Sequence, residues 1–250
     1  MKKNNPMKAV VLAAGLGSRI SKITSKIPKS MIRIENNYIF KIIIDALIKI
    51  NINEIIFVVG YKSRLLRDAI DKEYSQKNIK IFFVTNKKYA STNTMYSLWL
   101  ARKKLDCSFL YLHGDLIFSE KMINEFLMNR KSNAILVDKR FPLDWDDAMK
   151  VIAHNNELKY MSKQITLNEM DGIAIGIYKF DKNGAKILFE IISGLISKGI
   201  VKSWVSEAMN ILAKRIPITI EYNNKNYPWT DVDNLSDLKM GNKIFKEIID

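Results

Sequence analysis

The first apolar run of the chain, residues 8–12, leads into a loop of small residues that is followed by two cations. The loop and its first cation are Leu12, Ala13, Ala14, Gly15, Leu16, Gly17, Ser18 and Arg19. Small side chains let a backbone approach a phosphate, and its N–H groups can point at the anion. Lys29 follows ten residues after Arg19, and Pro28 stiffens the backbone before it. Arg19 and Lys29 could therefore hold a triphosphate and offset the charge on a departing pyrophosphate.

Two other phosphate-binding motifs do not describe this loop. The dinucleotide fingerprint requires a third glycine and the Walker loop requires Gly-Lys-Ser/Thr, and residues 12–19 contain neither. The loop could also be a solvated basic turn after a strand, because two glycines with one residue between them occur in many tight turns.

The segment LAAGLGSR at 12–19, with IPKSM at 27–31, resembles the signature of the nucleoside-triphosphate transferases that make nucleotide-activated sugars and alcohols. IFVVGY at 56–61 is similar to the second strand of that family. STNTMYSL at 91–98, MKV at 149–151 and WTDVD at 229–233 resemble its cytidylyltransferase branch, especially the CTP:phosphocholine cytidylyltransferases. The resemblance covers nearly the whole chain. It implies an enzyme that transfers CMP from CTP to a small phosphorylated acceptor and releases pyrophosphate.

The resemblance implies four catalytic residues. Residues matching Arg19 and Lys29 contact the nucleotide phosphates, and those matching Asp115 and Asp233 bind the metal, expected to be Mg²⁺ with Mn²⁺ as a substitute. Mg²⁺ prefers oxygen ligands in an octahedron and leaves positions for water and phosphate. Asp115 also follows a predicted strand, which is where open α/β sheets bind their ligands. Helix capping and turn formation are the alternative roles for these aspartates.

The resemblance also implies residues around the two substrates. Lys150 matches the lysine that takes the acceptor phosphate, and Asp231 stands where the branch usually has a glutamate. Asn93 and Ser97 would lie near the base or ribose, together with the backbone of the loop. His113 is interpreted as structural, because phosphoryl-type transfer needs mainly positioning and charge.

Acidic and aromatic residues stand near the positions at which the branch receives the positive end of choline-like acceptors. They are Trp145, Asp147, Glu169, Asp171, Trp229 and Asp231. Aromatic faces and nearby carboxylates both hold cations. We therefore predict an acceptor with a phosphate or phosphonate at one end and an amine or quaternary ammonium at the other. Phosphocholine is the first candidate, and an aminoalkyl phosphonate or a phosphorylated amino-acid derivative follows. A solvated acidic loop with Trp145 packed on the core is the alternative.

Strands alternate with helices along the part of the chain that carries these motifs. The predicted strands span residues 8–12, 54–59, 80–84, 109–112, 133–138, 149–153, 158–161, 173–180 and 218–222. The predicted helices span residues 38–50, 63–74, 93–104, 120–129, 182–196, 202–214 and 235–249. This alternation is typical of βαβ units and predicts an α/β fold. We expect a Rossmann-like, mixed but mostly parallel central sheet flanked by helices, with a small acceptor-binding β/α elaboration in the second half.

Residues 1–250 are predicted to form a single nucleotidyltransferase domain. Its nucleotide-binding part would end at about residue 140, and its acceptor-binding and metal-completing part would follow from about 141 to 250. Hydrophobic residues make up 48% of the chain, which is enough to bury a full core.

Cysteine content and hydropathy favour a reducing, cytoplasmic setting. The single Cys107, interpreted as a buried small hydrophobe, excludes an internal disulfide framework and a multi-cysteine metal site. No stretch approaches the roughly 20 apolar residues that a membrane helix needs, and the opening does not resemble a signal peptide. We therefore expect no membrane partner.

The net charge of +14 would suit a nucleic-acid partner. The lysines are spread along the chain among many Asn and Ile residues, however, which indicates a composition bias. We expect no nucleic acid as a partner, and a basic surface would still attract an anionic nucleotide. The sequence leaves both a monomer and a homodimer open.

Three other functions remain open at this point. A sugar-1-phosphate nucleotidyltransferase that uses another NTP would share the first motif. A non-catalytic nucleotide-binding domain would keep the loop without turnover. A basic nucleic-acid binder would retain DNA in a salt-sensitive manner and turn over no NTP.

Overall fold

The computed structural model describes residues 7–140 and 147–249, so the predicted acceptor residue Trp145 lies outside the described residues. The strands are β1 (Lys8–Ala13), β2 (Arg33–Ile34), β3 (Asn37–Tyr38), β4 (Glu54–Val59), β5 (Lys80–Thr85), β6 (Phe109–His113), β7 (Leu116–Phe118), β8 (Ala134–Asp138), β9 (Lys150–His154), β10 (Glu157–Ser162), β11 (Gly172–Phe180), β12 (Thr219–Tyr222) and β13 (Trp229–Asp231). The α-helices are α1 (Ser21–Thr24), α2 (Ile39–Lys49), α3 (Ser63–Tyr74), α4 (Thr94–Leu100), α5 (Glu120–Met128), α6 (Lys182–Ser197), α7 (Val205–Leu212) and α8 (Leu235–Ile249). Short 3₁₀ turns occupy Ser18–Ile20, Lys29–Met31 and Arg102–Lys104.

Nine of these strands form one sheet in the order β5-β4-β1-β6-β11-β8-β12-β10-β9. Strands β5, β4, β1 and β6 are parallel, β11 is antiparallel to both of its neighbours β6 and β8, and β12 is parallel to β8. The predicted mixed, mostly parallel sheet is therefore confirmed. Because β5, β4, β1 and β6 run the same way, the residues that follow them meet at one edge of the sheet.

Helices cover both faces of this sheet. Val11 packs into one apolar cluster with α2, α3, α5 and α8, whereas its neighbour Val10 packs into a second cluster with α4, α6 and α7. This division follows from the alternation of side chains along a strand. The nearly continuous apolar sequence of β1 and β4 is what a strand buried on both faces requires. Cys107 is buried, as predicted.

The predicted strand pair around Asn155 and Asn156 is an antiparallel hairpin of β9 and β10. Both asparagines have positive φ angles, 52° and 59°, which a type I′ hairpin turn requires and which asparagine tolerates. The hairpin packs on the edge of the same sheet, because β10 pairs with β12 and β9 also pairs with β11.

The structure differs from the sequence-based elements at several short segments. The helix predicted from residue 202 begins at Val205, and the helix predicted over 93–104 ends at Leu100 and continues as a 3₁₀ turn. Two small antiparallel pairs, β2–β3 and β7–β13, were not predicted. No helix among residues 7–140 and 147–249 combines the length and apolarity needed to cross a membrane.

Candidate active site at the carboxyl ends of the strands

A cavity of about 340 Å³ lies at the sheet edge where β1 and β6 end. Most of the residues predicted to bind substrate line it. These are Leu12, Ala13, Ala14, Gly15, Arg19, Lys29, Asn93, Ser97, Asp115, Asp147, Trp229, Asp231 and Asp233. Residues that are far apart in the sequence thus converge on one concave site, which is the form that small-molecule sites take.

Lys29 lies between two of the predicted metal ligands. Its Nζ donates to Asp115 Oδ2 at 2.5 Å and also to Asp233 Oδ1. Pro28 is extended, with φ −62° and ψ 150°, and leads directly into the 3₁₀ turn that carries Lys29. The Ser30 hydroxyl of that turn donates to the Gly114 carbonyl at 2.5 Å. The turn is therefore tied to the segment that follows β6, and this bond fixes Lys29 beside Asp115.

Asp233 is held by the start of α8. The Asp237 carboxylate accepts hydrogen bonds from the backbone N–H groups of Asp233 and Asn234, at 2.8 and 2.9 Å. The Asn234 side chain in turn accepts from Asp237 N at 3.0 Å. This reciprocal arrangement is a capping box, which fixes the entry of the chain into the helix. Just before it, Val232 N donates to the Asp115 carbonyl at 3.1 Å, so β13 brings Asp233 to β6.

The cavity contains a continuous chain of six alternating charges. Its members are Lys163, Asp147, Arg19, Asp233, Lys29 and Asp115. Lys163 Nζ lies 2.7 Å from Asp147 Oδ1, and Arg19 Nη1 lies 2.7 Å from Asp147 Oδ2. Arg19 Nη2 lies 2.5 Å from Asp233 Oδ2, and Lys29 then joins Asp233 to Asp115. The cations expected to bind phosphates and the carboxylates expected to bind metal thus form ion pairs with one another.

The pKa values follow from this arrangement. Burial alone would lower the pKa of Lys29, but the adjacent Asp115 and Asp233 outweigh it and raise that pKa above its usual value. Burial tends to raise the pKa of Asp115, and the charge of Lys29 reverses this and holds the pKa low. Burial lowers the pKa of His113 despite the nearby Asp115, so its imidazole is neutral. A neutral, half-buried histidine agrees with a structural role.

A divalent cation fits the carboxylates of this site. Asp115 Oδ1 is buried and has no hydrogen-bond partner among the described residues. Burial, together with the charges of Asp115 and Asp233, raises the pKa of Asp231 to about 7, so three carboxyl groups lie close enough to affect one another. No cage of three or more His, Cys, Asp or Glu side chains occurs within residues 7–140 and 147–249. The residues therefore suit a metal held by few carboxylates and completed by phosphate oxygens and water, as Mg²⁺ commonly is.

A polar network lines the side of the cavity near α4. Asn86 follows β5, and its Nδ2 donates to Thr92 Oγ1 and Ser97 Oγ, both at 3.0 Å. Asn93 caps α4, its side chain accepting from Thr94 N at 2.8 Å. Asn86 was not among the predicted site residues, although its position directly after a parallel strand is the signal that also identified Asp115.

Two further residues that were not predicted, Lys163 and Trp204, line the cavity near Asp147. Lys163 Nζ lies 4.9 Å from the centroid of the Trp204 ring, in addition to its ion pair with Asp147. Trp229 lines the same cavity and donates from Nε1 to Asp138 Oδ2 at 2.8 Å. Lys163 follows an antiparallel hairpin strand and Trp204 precedes α7, and no motif marks either residue.

Five predicted residues do not line the cavity. Gly17 and Ser18 lie at the turn of the glycine loop, next to the cavity, and Gly17 adopts a left-handed φ of 65°. The buried Lys150 Nζ donates to the Lys163 carbonyl at 2.9 Å. Glu169 accepts from Thr166, and Asp171 accepts from Ala153 N at 2.7 Å at the β9 edge. The structure therefore does not assemble the predicted acidic pocket from Glu169 and Asp171, because the Glu169 carboxylate holds its own turn and the Asp171 carboxylate accepts from the backbone of β9.

The chain is similar in sequence to a known protein family and to several characterised enzymes. The family described as nucleotidyl transferase matches residues 8–139. A CTP:phosphoglutamine cytidylyltransferase of Campylobacter jejuni is 27% identical over 94% of this chain and 98% of its own length. The choline-phosphate cytidylyltransferase of Streptococcus pneumoniae is 33% identical, over 48% of this chain and 49% of its own. Sugar-1-phosphate nucleotidyltransferases also occur among the relatives.

The structure of a CTP:phosphocholine cytidylyltransferase from Streptococcus pneumoniae superimposes on this one with a TM-score of 0.77. The superposition covers 96% of this chain and 99% of the other, at 21% sequence identity. At that identity the likeness establishes the fold alone, and it confirms the predicted fold class. The family match and the cytidylyltransferase relatives confirm the resemblance derived from the motifs.

Proposed function

Because this chain belongs to the nucleotidyl transferase family, we propose that it transfers CMP from CTP to a small phosphorylated acceptor and releases pyrophosphate. The observation that carries the proposal is the contact of Lys29 with both Asp115 and Asp233 inside the cavity. Cytidylyltransferase relatives, one of them spanning 94% of the chain, support CTP as the donor.

The reaction requires positioning and charge more than proton transfer. An oxygen of the acceptor phosphate attacks the α-phosphorus of CTP, a new P–O bond forms, and the bond to the bridging oxygen of the β-phosphate breaks. The attacking oxygen is already an anion, so no strong general base is needed, in agreement with the neutral His113. The protein must align the reactants and neutralise the charge of the leaving pyrophosphate.

Arg19 and Lys29 would take the triphosphate, turning from Asp233 and Asp115 onto the phosphate oxygens. Mg²⁺, held by Asp115 and Asp233 with Asp231 beside them, would supply positive charge to the same oxygens. Asn93 and Ser97, with the loop 12–15 and the additional Asn86, would surround the ribose and base.

The cavity draws on both parts of the chain. Lys29, Asn93 and Asp115 precede residue 140, whereas Lys163 and Asp233 follow residue 147. One sheet also contains strands from both parts. We therefore propose that residues 1–250 act as one domain, with a nucleotide-binding part to about 140 and an acceptor-binding, metal-completing part from about 141.

The acceptor is proposed to be amine-bearing and phosphocholine-like. Asp147, Trp204 and Trp229 line the acceptor side of the cavity and offer a carboxylate and two aromatic faces to a cation. A panel of phosphocholine, phosphoethanolamine and 2-aminoethylphosphonate, compared with glycerol phosphate and hexose 1-phosphates under CTP, tests this part. Faster turnover of the uncharged acceptors would contradict it.

CTP is expected to support the fastest pyrophosphate release among the four common NTPs, and excess EDTA is expected to abolish it. The screen measures pyrophosphate released from each NTP with the acceptor panel, before and after Mg²⁺ or Mn²⁺ is restored. Equal or faster turnover of UTP, GTP or dTTP with hexose 1-phosphates would instead identify a sugar nucleotidyltransferase. Full activity in EDTA would contradict the metal requirement.

Lys163→Ala is expected to raise the KM of the acceptor more than that of CTP, because Lys163 is the lysine that lines the acceptor side of the cavity. Loss of one charge-assisted hydrogen bond corresponds to roughly 10-fold to 100-fold in kcat/KM. Lys150→Ala is the paired variant, since the buried Lys150 contacts the Lys163 carbonyl. If the KM of the acceptor rises only in Lys150→Ala, then Lys150, and not Lys163, binds the acceptor phosphate.

A further inference from the structure

Tyr111 carries a polar group that the proposed reaction does not use. Its hydroxyl is buried and has no hydrogen-bond partner among the described residues, yet Tyr111 lines the cavity. The ring stacks on Tyr178 of β11, with centroids 4.9 Å apart and planes 5° apart. The His113 ring meets it edge-on, with centroids 5.5 Å apart. The Tyr111 ring is therefore fixed where β6 and β11 adjoin, and Ala174 and Ile175 of β11 line the same cavity.

Buried polar side chains in native proteins almost always have a hydrogen-bond partner. Three buried side-chain atoms lack one in the described part of the chain, and two of them, Asp115 Oδ1 and the Tyr111 hydroxyl, belong to residues that line this one cavity. A bound metal would be a partner for Asp115 Oδ1. By the same reasoning a ligand atom would be the partner of the Tyr111 hydroxyl, since a buried hydroxyl without a hydrogen bond destabilises the fold.

The start of α7 also lines the cavity. Trp204, Val205 and Ser206 line the cavity, and no side chain caps this helix. Val205 N donates to Thr94 Oγ1 at 3.1 Å and Glu207 N donates to the Trp204 carbonyl at 3.2 Å. The N-terminus of a helix carries partial positive charge and favours an electronegative group.

We propose that the acceptor carries, at the end remote from its phosphate, a carbonyl or carboxylate oxygen that accepts a hydrogen bond from the Tyr111 hydroxyl. The inference rests on the proposed function and narrows its acceptor to phosphorylated, amino-acid-like compounds. A trimethylammonium group has no lone pair to offer Tyr111, whereas a carboxylate or carboxamide does. Burial also raises the pKa of Tyr111, so the phenol stays protonated and acts as a donor.

The test uses two acceptors that differ by one carboxylate. O-Phosphoserine is phosphoethanolamine with a carboxylate on the carbon that bears the amine. With CTP and Mg²⁺, wild-type kcat/KM is expected to be larger for O-phosphoserine by at least about tenfold, because a site built to hydrogen-bond a group rejects the analogue that lacks it. Equal values, or a preference for phosphoethanolamine, would overturn the inference.

Tyr111→Phe removes only the hydroxyl and is expected to bring the ratio of the two kcat/KM values close to one. The control is Tyr74→Phe, which removes a buried hydroxyl that donates to Asp45 at 2.7 Å, outside the cavity. This control is expected to keep the wild-type ratio. A ratio unchanged in Tyr111→Phe would show that the hydroxyl does not select the acceptor.

A binding measurement separates this inference from the proposed function. If CTP is turned over with none of the acceptors, the proposed function fails, and the thermal shift caused by O-phosphoserine becomes the decisive readout. A shift that wild type shows and Tyr111→Phe loses supports the pocket without any turnover. Equal shifts in both proteins, or none in wild type, would overturn it.

Discussion

Asp115→Asn is expected to lower kcat for pyrophosphate release by roughly 10²–10³ while the protein stays folded. Asparagine keeps the shape of the side chain but removes the charge that faces Lys29 and would hold Mg²⁺. Asp233→Asn should have an effect of the same order, because Asp233 is the second carboxylate in contact with Lys29. Single-turnover rates with CTP at saturating Mg²⁺, combined with thermal melting, measure the two quantities separately.

Asp106→Asn is the matched control for these variants. Asp106 is exposed and precedes β6 at the end opposite to Asp115, so it tests the loss of one carboxylate from the same region of the chain. It should retain the wild-type rate. If Asp115→Asn or Asp233→Asn keeps half of the wild-type rate, that residue does not belong to the metal site.

Lys29→Ala is expected to change kinetics and stability together. A phosphate contact acts in both the ground state and the transition state, so kcat should fall and the KM for CTP should rise. The substitution also leaves Asp115 and Asp233 facing each other without their cation, and side-chain exposures of only 23% and 22% screen them little. Breaking such a pair costs about 3 kcal/mol of the free energy of unfolding.

Mg²⁺ should restore part of that stability in Lys29→Ala, since it supplies the positive charge that the variant lacks. The measurement is the midpoint of urea unfolding, with and without Mg²⁺, in Lys29→Ala and in the control Lys26→Ala. Lys26 is an exposed lysine three residues before Lys29. Lys26→Ala should resemble wild type in both stability and kinetics. Reduced stability with normal kinetics in Lys29→Ala would mean that Lys29 is structural and does not contact the nucleotide.

The larger elements of the fold were predictable because burial leaves a clear pattern. Strands such as β4 and helices such as α3 match their predicted bounds, since apolar runs and amphipathic repeats mark them. The pair β7–β13 has only three residues in each strand and joins positions more than a hundred residues apart. A pairing so short and so distant leaves no periodic signal in the sequence.

Residues proposed to bind phosphate and metal could be singled out because each follows a strand end or sits in a loop with a recognisable pattern, as Arg19, Lys29 and Asp115 do. The acceptor side was not predictable in the same way. Lys163 reaches the cavity through the register of the β9–β10 hairpin, whereas hydrogen bonds with Thr166 and with Ala153 of β9 hold the carboxylates of Glu169 and Asp171 outside it. Charges close together in sequence do not reveal which edge of a sheet their strands will occupy.

The alternating chain of charges from Lys163 to Asp115 bears on how the proposed site would bind a divalent ion. An ion that arrives alone would have to displace Lys29 and Arg19 from Asp233, and both cations would then face the cavity without counterions. An ion that arrives with a triphosphate would bring oxygens that receive both displaced cations. We therefore expect the affinity for the ion to depend on the nucleotide, because only joint binding leaves no buried charge unpaired.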